Sequence, residues 1–162
     1  MGAEEKVYEV LDNLGIEYQK KEHPPVYTVE EADEYWADLE GTHTKNLFFR
    51  NKKGKRHFLV ILDSSKNLDI KSLQGKIGAG TLSFASDRRL SEHLGLSKGA
   101  VSVFGLINDE KKAVEVIVDS KLLKSDRIGF HPNVNTATIT ISTQDFKKFL
   151  ESRGNKVSYK EL

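Results

Sequence analysis

Cysteine is absent from all 162 residues, which removes disulfides, thiolate metal sites and a thiol nucleophile. Long apolar runs are absent as well: no stretch of eighteen apolar residues occurs, so no membrane span is expected. The N-terminal MGAEEKVYEVLDNLG is charged from residue 4 and lacks the apolar region of a signal peptide. Gly2 follows Met1, but Lys6 stands where a myristoylation signal needs Ser or Thr. A cytoplasmic location is the expectation. An excess of either charge is missing too, with 25 basic against 24 acidic residues and a net charge of +1. That balance argues against a dedicated nucleic-acid coat and against non-specific DNA binding.

Motif absences narrow the chemistry further. The five histidines, at 23, 43, 57, 93 and 131, form no HxH, HxxH or HExxH, so no metal is expected. The glycines fit neither GxxxxGK[ST] nor GxGxxG, and no nucleotide cofactor is expected. No GxSxG elbow occurs. Ser102, in a glycine-flanked loop, has the chemistry of a nucleophile but the sequence setting of a turn residue.

An apolar fraction of 38% and a mean hydropathy of −0.48 describe one globular domain spanning residues 1–162. Val7, Val10, Leu11 and Leu14 recur at helical spacing over residues 4–14, and Gly15 closes that helix. IEYQKKEH alternates like a strand and stops at Pro24-Pro25. Thr28 and Glu31 fit a capping box that opens a helix through TVEEADEYWADL. LFFR, the turn NKKGK and HFLVILD read as a β-hairpin. A short helix over 69–78, a brief strand LSFA, and a helix in SDRRLSEHLGL capped by Ser86 and stopped by Gly95 follow. The glycine-punctuated KGAVSVFGLIND precedes the strand AVEVIVD. RIGFHPNVNTATITIS holds two strand-like runs around HPN, TQDFKKFLESRG a last helix, and KVSYKEL an edge strand. The elements interleave without regular βαβ spacing. The expected fold is α/β of the α+β type: a curved, mostly antiparallel mixed sheet or partial barrel flanked by helices.

Three local features suit one pocket. Lys45 and Asn46 precede the apolar run LFF. Gly99, Ala100, Val101 and Ser102 form a small-residue loop able to aim backbone N–H groups at an oxyanion. GFHPNVN carries His131, suited to a ribose hydroxyl. Each has a plainer reading: a surface lysine, a turn, and a histidine that caps a hairpin. The basic run Arg50, Lys52, Lys53, Lys55 and Arg56 likewise reads either as a phosphate-binding patch or as a solvated hairpin tip.

In order, HPPVYTVEEA, GTHTKNLFFR, LSFASDRRL, GAVSVFGLIND and FHPNVNTATITIS resemble the motifs of the YbaK/prolyl-tRNA-editing family, from about residue 4 to the C-terminus. The likeness is nearest to its free-standing PrdX-like (ProXp-ala) deacylases. This resemblance implies a trans-editing hydrolase that removes alanine from mischarged Ala-tRNA(Pro) by water attack on the aminoacyl ester, helped by the substrate's own ribose hydroxyl. It implies no cofactor, and as partners the acceptor stem and 3′ end of tRNA(Pro), with prolyl-tRNA synthetase nearby. Lys45, Asn46 and Gly99 match the catalytic positions: a lysine gripping the terminal phosphate or orienting the ester, an asparagine beside it, and the start of a GxxxP loop. His131, Ala100, Val101, Ser102 and Leu47 are the implied substrate contacts, with Leu39 a further candidate wall. Arg50, Lys52, Lys53, Arg88 and Arg89 are the implied tRNA contacts. The loop departs from the pattern at Val103, which replaces proline and restores an N–H; Val103→Pro is expected to keep or raise activity. Two alternatives stand beside this reading: a deacylase for Cys-tRNA(Pro) or another small amino acid, and a non-catalytic module binding an acceptor stem or a synthetase.

Overall fold

The computed structural model describes residues 2–26, 28, 30, 31, 35 and 39–162. Eight strands form one open sheet in the order β1-β7-β6-β2-β3-β5-β8, with β4 pairing β2 off this path. The strands are β1 (Gln19–Glu22), β2 (Thr42–Asn51), β3 (His57–Asp63), β4 (Leu82–Phe84), β5 (Val114–Asp119), β6 (Arg127–Phe130), β7 (Ala137–Ser142) and β8 (Val157–Lys160). Four of the seven pairings are antiparallel and three, β2–β6, β3–β5 and β5–β8, are parallel. The α-helices whose bounds fall within the described residues are α1 (Ala3–Asn13), α2 (Ile70–Ile77), α3 (Asp87–Leu94) and α4 (Thr143–Arg153). The expected capping box is present in part, since the Glu31 N–H donates to Thr28 Oγ1 at 3.1 Å. Most of the helix it was to open lies outside the described residues.

HFLVILD is apolar at nearly every position because β3 is covered on both faces. Leu59 and Ile61 join the larger core with α1, α3, α4 and β5, while Phe58, Val60 and Leu62 join a smaller core with Leu73 of α2. Each such fully buried side chain contributes about 1.5–3 kcal/mol. Helix ends follow their sequence signals: Ser86 Oγ accepts from the Arg89 N–H, and Gly78, Gly95 and Gly154 take the left-handed conformation at C-caps. The stretch after residue 102 is a 3₁₀ helix, Val103–Asn108, capped by the Ser102 hydroxyl.

β2 was expected to start at Leu47 and in fact starts at Thr42. Lys45 and Asn46 therefore lie inside a strand, paired to Leu62 and Ile61 of β3. On its other edge β2 pairs β6 through residues 42 and 43, and β4 through residues 49 to 51. No strand pairs residues 44–48 on that side among the described residues. The sheet is split there, and a cleft opens beside the split.

Candidate functional site

The gap beside β2 opens into a cleft of about 740 Å³, lined among others by Lys45, Asn46, Leu47, Gly99, Val101 and His131. Three segments far apart in sequence thus meet at one place. Ala100 and Ser102 do not line it: both are buried, and the Ser102 Oγ accepts from the Phe104 N–H at 3.2 Å. Ser102 is a helix cap, not a nucleophile. Leu47 is a wall of the cleft, whereas Leu39 is not among the described residues that line it.

Asn46 is committed to the protein. Its Oδ1 accepts from the Val103 N–H at 3.0 Å, and its Nδ2 donates to Thr44 Oγ1 at 3.0 Å. Thr44 Oγ1 in turn donates to the Gly129 carbonyl at 2.8 Å. One chain of hydrogen bonds therefore ties the 99–103 loop to β2, and β2 to the strand that leads into His131. Asn46 positions the site; its carboxamide oxygen is spent on Val103. Gly99 has φ +93°, a conformation side chains strain to adopt. The Ala100 N–H donates to the Ser97 carbonyl at 3.1 Å. Among the described residues, no protein acceptor takes the N–H groups of Gly99 and Val101, which line the cleft, so these are the donors the loop can offer.

His131 Nδ1 lies 3.0 Å from the Ala137 carbonyl. A carbonyl only accepts, so Nδ1 carries the proton and Nε2 is the acceptor nitrogen. Burial lowers its pKa, and the Ala137 hydrogen bond opposes that only in part, so the ring is neutral at pH 7. Among the described residues no salt bridge or side-chain hydrogen bond holds Lys45, and its ammonium is available to an anion. No group of three or more His, Asp or Glu able to hold a metal occurs among the described residues.

The aminoacyl-tRNA editing domain family matches residues 23–149, a span containing every one of these cleft residues. The chain belongs to that family. It is an aminoacyl-tRNA deacylase, and the cleft beside β2 is its candidate site. The chain is 44% identical to "Prolyl-tRNA editing protein ProX" of Acetoanaerobium sticklandii over 100% of this chain and 99% of that protein. It is 35% identical to "Prolyl-tRNA synthetase associated domain-containing protein 1" of Bos taurus, over 90% of this chain and 86% of that one. A crystal structure of a protein proposed to be a trans-editing enzyme for prolyl-tRNA synthetase superposes with a TM-score of 0.74, at 20% identity, over 100% of this chain and 98% of that chain. At that identity the likeness concerns the fold alone.

The basic side chains around this editing domain divide into bound and available ones. Arg50 Nη1 donates to the Asn51 and Lys52 carbonyls at 3.2 and 3.3 Å. Arg89 Nη1 donates to the Gly54 carbonyl and to His57 Nε2, both at 3.0 Å, and so buttresses the hairpin tip from beneath. Arg56 makes a bidentate pair with Glu115 at 2.9 Å. Lys52 and Lys53 are exposed, and Arg88 is exposed with Glu92 4.0 Å away. Sequence reasoning passed over His57, whose 4% exposure and contact with His93 (ring centroids 4.0 Å apart) no motif announces. Burial, then the neighbouring His93 and Arg89, push its pKa down to about 4. No helix of the described residues is long and apolar enough to cross a membrane.

Proposed function

We propose that this chain, residues 1–162 acting as one editing unit, hydrolyses alanine from mischarged Ala-tRNA(Pro). The observation that carries the reading is the meeting of Lys45, Gly99 and His131 in the cleft beside the unpaired stretch of β2. Water attacks the ester carbonyl carbon, the C–O bond to the ribose breaks, and the leaving ribose oxygen takes up a proton. The N–H groups of Gly99 and Val101 are suited to stabilising the oxyanion that develops. Neutral His131 accepts from a ribose hydroxyl through Nε2 and fixes the sugar. Lys45 grips a backbone phosphate or orients the ester, and Leu47 and Val101 supply apolar wall around the amino acid. A wall set for a methyl side chain rejects proline by steric exclusion, whereas the synthetase gains only about 1–3 kcal/mol from the extra apolar contact. This reading makes prolyl-tRNA synthetase the source of the substrate, the acceptor stem of tRNA(Pro) the recognised element, and the cytoplasm the place of action.

The test is amino-acid release from Ala-, Cys- and Pro-tRNA(Pro) by the wild type beside Lys45→Ala. Alanine alone should be released, and the variant should be slower by roughly 10²–10³-fold, the scale of losing one electrostatic contact to the transition state, with an unchanged circular-dichroism spectrum. Preferential release of cysteine would assign the chain to the neighbouring specificity. No release from any of the three by a folded protein that binds the tRNA would make it a binding module.

A further inference from the structure

We propose that Phe84 is a stacking platform for the base of the terminal adenosine of the tRNA, a subsite separate from the residues that handle the ester. The proposal rests on the deacylase reading above. Phe84 lines the cleft and is 59% exposed, an unfavourable place for a large apolar ring unless something covers it. One ring face lies on Phe49, with centroids 4.6 Å apart and planes inclined by 28°. Phe49 is fully buried, so the platform is backed by core and its remaining surface is left to the cleft and solvent.

The backbone beneath the ring is fixed. Phe84 pairs with Phe49 across the β2–β4 ladder. The Ala85 N–H donates to the Phe48 carbonyl at 2.9 Å, and Ser86 then caps α3. A ring so held loses little freedom when a flat partner arrives. Its surroundings fit a nucleotide: Lys45, Lys98 and Ser86 line the same cleft, giving cations and a hydroxyl for phosphate and sugar beside an aromatic face for the base. Covalent connectivity does the rest. The ester sits on the terminal ribose, so an ester placed at Lys45 and His131 brings its own base into the cleft that Phe84 lines. Stacking of this kind tolerates any base, because every base has a π-face. The platform therefore adds affinity for any tRNA 3′ end, and discrimination among tRNAs arises elsewhere.

The experiment measures equilibrium binding of uncharged tRNA(Pro) transcript, intact or lacking its terminal adenosine, to wild type, Phe84→Leu and Phe84→Trp by fluorescence anisotropy at fixed salt. Leucine keeps the apolar cover over Phe49 and removes the flat face. Trimming should weaken wild-type binding by a factor roughly 5- to 140-fold larger than it weakens binding to Phe84→Leu, which loses only the ribose and phosphate contacts, while Phe84→Trp behaves as wild type. In deacylation, Phe84→Leu should raise KM with kcat kept. Equal losses on trimming for wild type and Phe84→Leu, or no loss for wild type, would overturn the proposal. The transcript carries no ester, so the two readings fail separately. Coupling without hydrolysis would refute the deacylase and leave the platform standing; hydrolysis without coupling would refute the platform alone.

Discussion

Replacing Val103 with proline removes one hydrogen bond and little else. Ser102, at φ −153° and ψ 151°, already has the extended conformation that a residue before proline prefers. Val103 opens a 3₁₀ helix, where a missing N–H breaks no helical bond. What is lost is the donor to Asn46 Oδ1, worth about 0.5–1.5 kcal/mol. A stiffer unfolded chain returns about 0.4–1 kcal/mol, so global stability should change by less than about 1 kcal/mol in urea denaturation. The proposed site has no such offset. If the bond holds the loop donors in place during attack, single-turnover deacylation should fall by roughly 2- to 13-fold. This reverses the expectation drawn from the sequence, where the substitution only restored a familiar loop residue. The decisive comparison repeats it in an Asn46→Ala background, where the acceptor is already gone and proline should cost nothing more. An undiminished rate in the first background, or the same loss in both, would refute the reasoning.

Two further outcomes follow from the electrostatics. His57 stays neutral in the fold down to about pH 4, whereas an unfolded histidine protonates near 6.5. Between those values the unfolded chain binds more protons, so stability is full above about pH 6.5 and falls on acidification. At pH 5 the loss should be about 2 kcal/mol by urea unfolding, and His57→Phe should flatten the slope. Equal slopes in both proteins would show that His57 is not the group responsible. Salt dependence of tRNA binding tests the hairpin tip. Lys52→Ala and Lys53→Ala should each reduce the log–log slope by about 1, while Arg56→Ala, whose guanidinium already pairs with Glu115, should leave it nearly unchanged. A full reduction from Arg56→Ala would mean that the pair opens on binding.

What could be read from residues alone was whatever burial stamps on the pattern. β3 announces itself because both its faces are covered, and α3 because Ser86 and Gly95 bracket it. Residues 42–46 carry no apolar alternation, since 42 and 43 pair β6 while 44–46 line the cleft, so the first half of β2 passed for a loop. The three parallel pairings were equally invisible: they depend on which strands meet at distance, and no local spacing encodes that. Of the candidate site, the meeting of Lys45, Leu47, Gly99, Val101 and His131 in one cleft was legible through ordered motifs. The partners of Ser102 and Asn46 were not legible, because a hydroxyl or carboxamide has the same sequence signature whether it faces a ligand or a backbone N–H. Phe84 drew no notice at all, for one aromatic in a short strand is ordinarily core.

The split in the sheet has a consequence for solubility. A run of unpaired strand edge is a template on which another chain can add, and proteins guard such edges. Here residues 44–48 are guarded twice. β6 and β4 close the run at both ends, which leaves too few residues for an invading strand to gain a stable ladder. The 99–103 loop, moored through Val103 and Asn46, roofs the middle. The mooring that places the loop over the cleft thereby also covers a strand edge on which a second chain could otherwise add.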